Sequence, residues 1–159
     1  MDVLWAPWRM AYVSGAPQSP GCLFCRALEA GDDAGQRILE RGEAAFLMLN
    51  AFPYATGHVM AAPNRHVASP EDLEESESAD LFRVVRRAMT ALRAVYRPDG
   101  FNLGANVGRV AGAGVESHLH LHVVPRWAGD TNFMPVVSGV KVLPESLDET
   151  FRRLRPHLG

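Results

Sequence analysis

The run His118-Leu119-His120-Leu121-His122 places three of the chain's six histidines at every second position. That alternation is the period of a β-strand, and Val123-Val124-Pro125-Arg126 carries it on past a proline. On a strand the three imidazoles stand on one face and Leu119, Leu121 and Val123 on the other. The leucine face can be buried. A buried histidine face would need a polar partner for every ring nitrogen, so the histidines are expected to line a site. Three adjacent imidazoles can bind a metal, relay protons or supply a nucleophile. Toward phosphorus, a neutral imidazole attacks through one ring nitrogen while the other donates its proton to a fixed acceptor. Flanking histidines can orient it, contact phosphate oxygens and move protons. Gly108 to Gly114 lies just upstream, and the backbone N–H groups of so glycine-rich a segment could cradle phosphate oxygens.

A second constellation is Cys22-Leu23-Phe24-Cys25. Two thiolates at this spacing are half of a zinc site. The rival is a redox pair, though no thioredoxin-like βαβ pattern surrounds it.

These residues need elements to position them. A short helical stretch follows the cysteines and stops at Gly31. Strands are expected at Ile38–Glu40 and Ala45–Leu49 around a Gly42-Glu43 turn, and at His58–Ala62 before Pro63. Ser69-Pro70-Glu71 reads as a helix start. The clearest helix runs from about Ser76 to Tyr96, with Leu81, Val84, Val85, Ala88, Met89 and Leu92 on one face. Arg83, Arg86, Arg87 and Arg93 fall on its other, solvated face. A strand at Phe101–Val107, the glycine-rich loop and the histidine strand come next. The remainder is mostly irregular, with a short strand near Lys141–Leu143 and a helix near Leu147–Arg155. His157 reads as surface. Strands, a long helix, then more strands, without regular βαβ alternation, indicate the α+β class with a mostly antiparallel sheet.

The chain's 159 residues suit one domain: an arm over 1–21, a core over 22–127 and an extension over 128–159. The arm carries Trp5-Ala6-Pro7-Trp8-Arg9 and is expected to dock on its own domain's core. Net charge is -2, which gives no overall field toward nucleic acid. No apolar run approaches the roughly 20 residues of a membrane span, and Met1 to Gly15 lacks the pattern of a secretory signal. The cytoplasm is the expected compartment, with reduced or metal-bound cysteines.

The run from His118 to Val124 resembles the signature of the histidine triad family of nucleotide hydrolases and transferases. The similarity extends to Asn50 and Gly57-His58-Val59-Met60-Ala61-Ala62-Pro63, to Asn102-Leu103-Gly104-Ala105-Asn106-Val107-Gly108, and to Pro125-Arg126. Trp5-Ala6-Pro7-Trp8-Arg9 and the segment Arg126 to Phe133 are more like the branch that includes bacterial diadenosine tetraphosphate phosphorylases. The resemblance implies the histidine triad fold and a homodimer that binds a small nucleotide. It makes His120 the nucleophile, supported at the phosphate by His122 and His58. Asn50 would bind the ribose hydroxyls and Asn106 the phosphate, with Phe46 and Leu47 bordering the base. From the residues alone, turn chemistry at strand ends explains both asparagines as well. By the same resemblance, structural zinc sits on Cys22, Cys25, His66 and His118, with no organic cofactor. Ala111 to His118 departs from the family by lacking a glutamine, which leaves Gly114 amides and Ser117 to hold phosphate. Dinucleoside polyphosphates are the leading substrates and nucleoside phosphoramidates the rival. A nucleotide-binding regulatory protein with incidental hydrolysis is a different class of reading. An iron oxygenase is disfavoured, since it would need a further ligand and open coordination positions.

Overall fold

The computed structural model describes residues 21–131 and 142–158. The expected tryptophan-containing arm lies outside these residues, as does Lys141; Val142 and Leu143, the rest of that expected strand, form none.

Helix α1, Leu23–Glu29, starts directly after Cys22 and buries Phe24 and Ala27. A four-residue helix unexpected from sequence, α2 at Asp33–Gln36, forms because the Asp32 carboxylate accepts from the Gly35 N–H at 2.9 Å. Strands β1 (Ile38–Arg41), β2 (Ala45–Leu49) and β3 (Val59–Pro63) follow. The long helix α3 spans Glu75–Tyr96, and β4 (Gly100–Gly104), β5 (Leu121–Arg126) and helix α4 (Leu147–Leu154) complete the fold. The five strands form one sheet in the order β1-β2-β3-β5-β4, antiparallel at every pairing. This is the α+β architecture expected.

Strand alternation sorts the core into two layers. Leu47, Leu49, Val59, Ala61 and Val123 face Leu81, Val84, Val85, Ala88 and Leu92 of α3 and Leu154 of α4. Phe46, Met48, Met60 and Ala62 face the other way, against Phe24 and Ala27 of α1. Full burial of such a side chain contributes roughly 1.5–3 kcal/mol, so both layers anchor the sheet.

Three boundaries differ from expectation. The Ser69-Pro70-Glu71 signal opens a 3-10 turn, Pro70–Asp72, and α3 starts later. There Glu74 and Glu77 form a capping box, each side chain accepting from the other's backbone N–H. Strand β4 ends at Gly104 rather than Val107, where its partner is His122. On its other side β5 pairs with β3 as far as Leu121, opposite Ala61, and begins there. His118 to His120, expected in the strand, lie outside the sheet, where the Leu119 N–H donates to the Val67 carbonyl at 2.6 Å. The arginine face of α3 is largely paired: Arg83 with Asp80, Arg87 with Glu40 at 2.8 Å, and Arg93 over the Phe101 ring. His157 is exposed, as read.

Candidate active site

The histidines fall on the sheet face away from α3, each with a different environment. His120 is 5% exposed, and its Nδ1–H donates to the His118 carbonyl at 2.8 Å. A carbonyl only accepts, so the Nδ1 proton is fixed and the Nε2 lone pair is left free to react. Burial pushes the His120 pKa below the usual imidazole range, which keeps that lone pair unprotonated near neutral pH.

His122 meets His58 through a contact of 2.9 Å between His122 Nδ1 and His58 Nε2. The other His58 nitrogen, Nδ1, accepts from the Tyr54 backbone N–H at 3.0 Å. That places the neutral ring's proton on His58 Nε2, from which it is donated to His122 Nδ1. The proton of His122 is thereby assigned to Nε2, the outward nitrogen. His58 is 1% exposed and does not line the cavity beside His120. It stands against His122, the residue expected to support the phosphate with it. Tyr54 stacks on His122, with ring centroids 5.8 Å apart.

Two cavities meet at His122. One, of about 680 Å³, has apolar walls from Leu23, Phe24, Met48 and Met60 and reaches Asn50, Gly114 and His120. The other, of about 1000 Å³, opens toward Tyr96, Arg126 and Trp127. Tyr54, Asn106 and His122 line both. Phe46 and Leu47, expected at the base, do not line the apolar cavity: Phe46 is fully buried beneath Phe24 and Leu47 faces α3. Ser117 is exposed and off the cavity wall. Asn50 does make the turn bond open to it from sequence, its side-chain oxygen accepting from the Phe52 N–H at 2.8 Å. Asn106 reaches the Gly112 carbonyl at 3.3 Å and so ties β4 to the glycine-rich loop.

Cys22, Cys25, His66 and His118 converge, with all four potential ligand atoms within 4.8 Å of one another. Cys22 Sγ and Cys25 Sγ lie 3.2 and 3.6 Å from His118 Nδ1, and Cys25 Sγ lies 3.3 Å from His66 Nδ1. The edges of a tetrahedral Cys2His2 zinc site measure about 3.3–3.8 Å from its bond lengths. The His118 Nε2–H donates to the Pro63 carbonyl at 2.8 Å, leaving Nδ1 as the ligating nitrogen. Burial, then the hydrogen bond to Cys22, pushes the Cys25 thiol up, and a bound cation would reverse that. The four residues therefore fit a closed metal site. His118 is fully buried among them and presents its carbonyl, not its ring, to His120.

Three contributors were not anticipated: the Pro63 carbonyl, the Tyr54 N–H and the Phe24 ring. The first two are backbone atoms and carry no side-chain signal. Phe24 could have been found from its place inside the cysteine pair.

Residues 33–129 match the family model of the HIT domain. The chain is 41% identical over 159 residues to the AP-4-A phosphorylase of Mycobacterium tuberculosis, covering 95% of this chain and 81% of that protein. It is 33% identical over 96 residues to the asymmetrical bis(5'-nucleosyl)-tetraphosphatase of Schizosaccharomyces pombe, covering 60% of this chain and 52% of that one. The crystal structure of a zinc-bound histidine triad family protein from Mycobacterium smegmatis superposes with a TM-score of 0.69 at 28% identity, covering 86% of this chain and 92% of that one. The matched span takes in the triad, His58, His66, both asparagines and the glycine-rich loop, so sequence, fold and site geometry agree: the chain belongs to the HIT, or histidine triad, family.

Proposed function

We propose that the protein cleaves dinucleoside polyphosphates at the α-phosphate through a nucleotidyl-histidine intermediate on His120. The observation that carries this reading is the His120 ring, held in one tautomer with Nε2 free beside an apolar cavity of nucleoside size. Nε2 attacks the α-phosphorus, a P–N bond forms, and the P–O bond to the departing nucleoside polyphosphate breaks. The leaving oxygen takes the proton from His122 Nε2, which His58 and the Tyr54 N–H hold in place. Asn50 sits where it can bind ribose hydroxyls. Asn106 and the Gly114 region border the phosphate, with the loop's backbone N–H groups as donors. The larger cavity beyond His122 gives the second nucleoside room, which favours dinucleotides over phosphoramidates.

The second half-reaction transfers the nucleotidyl group from His120 to an acceptor. The similarity to an AP-4-A phosphorylase and the absence of a glutamine before the triad support inorganic phosphate in that role. We also assign structural zinc to Cys22, Cys25, His66 and His118, where it would lock the N-terminal knuckle to the triad. A homodimer is supported by the outer edge of β4, which no strand among the described residues covers and where Leu103 is 44% exposed. The cytoplasm is supported by two unpaired cysteines, and no described helix is long and apolar enough to cross a membrane.

Product analysis with diadenosine tetraphosphate tests the reading. Adenosine diphosphate plus triphosphate, formed only with phosphate present, is the expected result. Monophosphate plus triphosphate without phosphate would make the protein a hydrolase. Absence of any nucleotidyl adduct on His120 would overturn the mechanism.

A further inference from the structure

Phe24 lies between the two cysteines in sequence, yet it packs on His120 as well as on His118 of the metal-site cluster. Its ring centroid is 5.0 Å from that of His118 and 5.0 Å from that of His120. The planes are tilted by 45° and 35°, and the side chain is fully buried. It also forms part of the apolar cavity wall, beside Leu23, and packs edge-on against Phe46 at 6.2 Å.

We infer that Phe24 is a positioning residue for the nucleophile, and that the Cys22–Cys25 knuckle acts on the reaction through it. The physical chain is short. Cys22 and Cys25 flank the first turn of α1 and bracket Phe24. Fixing both sulfurs fixes the direction in which Phe24 projects. The ring then blocks rotation of the His120 imidazole, whose Nδ1–H must stay on the His118 carbonyl. A ring packed at this distance on one imidazole face removes the rotamers that would aim Nε2 away from the cavity. The ring is itself fully buried and backs the cavity wall beside Leu23. One side chain thus couples the cysteine knuckle to the nucleophile's orientation.

The inference rests on His120 acting as nucleophile, so its test needs one readout that does not depend on turnover. Phe24→Leu and Phe24→Met are the variants, both apolar and close in volume to limit unfolding. Three quantities are compared in metal-loaded protein: zinc per chain, the nitrogen-15 spectrum of the His120 ring, and the single-turnover rate of adduct formation. Expected is zinc equal to wild type, a His120 ring that leaves its single Nδ1–H tautomer, and an adduct rate at least tenfold lower. Binding of adenosine monophosphate should weaken by a smaller factor. Full zinc with an unchanged His120 spectrum and rate would overturn the inference. So would loss of zinc in both variants, which would make Phe24 a residue of the knuckle's own fold. If wild type forms no adduct while the variants still lose the single tautomer, the functional reading fails and the positioning role stands.

Discussion

His58 and His120 are both buried histidines on one sheet face, but the structure separates what each can do. His120 borders the apolar cavity with its Nδ1–H held on the His118 carbonyl, whereas His58 is set back from that cavity against His122, Asn50 and Tyr54. Replacing His120 with Asn should abolish the covalent adduct. Replacing His58 with Asn should leave an adduct that forms more slowly, on the order of tenfold, the worth of one hydrogen bond of about 1.4 kcal/mol. Rapid-quench measurement of adduct formation in the two variants checks this; equal and complete loss in both would remove the division of labour. The residues gathered here were legible in the sequence, because the histidine alternation and the Cys-x-x-Cys spacing single them out. The ordering behind it was not. Which histidine touches which is set by the carbonyls of His118 and Pro63 and the N–H of Tyr54, and backbone groups look alike in every sequence.

At the scale of elements, the start of α3 bears on the metal loop. Arg65, adjacent to His66, makes a two-pronged pair with Glu77 at 2.9 and 2.6 Å and reaches the Asp72 carbonyl at 2.7 Å. Glu77 also accepts from the Glu74 N–H at 2.8 Å, closing the capping box. The Arg65 hydrogen bond, and then that backbone bond, pull the Glu77 carboxyl down to about 2 from its ordinary 4.5. A carboxyl lowered on folding adds stability above its unfolded pKa, and that stability is lost as pH falls through the folded value. Glu77→Gln should therefore cost about 1–2 kcal/mol at pH 7. The gap to wild type should close between pH 4.5 and about 2, as denaturant titrations over that range would show. A gap that persists at pH 2 would assign the effect to packing. The helix was readable from its apolar spacing, its start expected near Ser76 and found at Glu75, but the device that caps it was not. Ser69-Pro70-Glu71 satisfies the rules for a helix start and yields a 3-10 turn instead, while the box at Glu74 and Glu77 lacks the usual Ser or Thr.

Across the whole molecule, one sheet separates a stabilising face from a reactive one. Helices α3 and α4 cover the first, and the Cys22–Cys25 knuckle, the apolar cavity and the triad histidines lie on the second, while the larger cavity reaches round to Tyr96 and Arg153. The α+β class followed from the order of elements. The late start of β5 did not, since it depends on a bond between residues far apart in sequence. That bond, from the Leu119 N–H to the Val67 carbonyl, leaves the triad's first half supported by the metal loop instead of a neighbouring strand. Deuterium uptake can distinguish the two kinds of support. Residues paired in the sheet, such as Val123, should label only through broad opening of the core. The Leu119 amide should label through local departure of the 64–69 loop. Stripping metal with a chelator is thus expected to speed exchange at Leu119 by tenfold or more while Val123 stays slow. Equal acceleration at both would mean that the fold melts as a unit. If instead the two respond separately, the nucleophile's neighbourhood is a small cooperative unit of its own, free to open and reseal on a rigid sheet that never lets go.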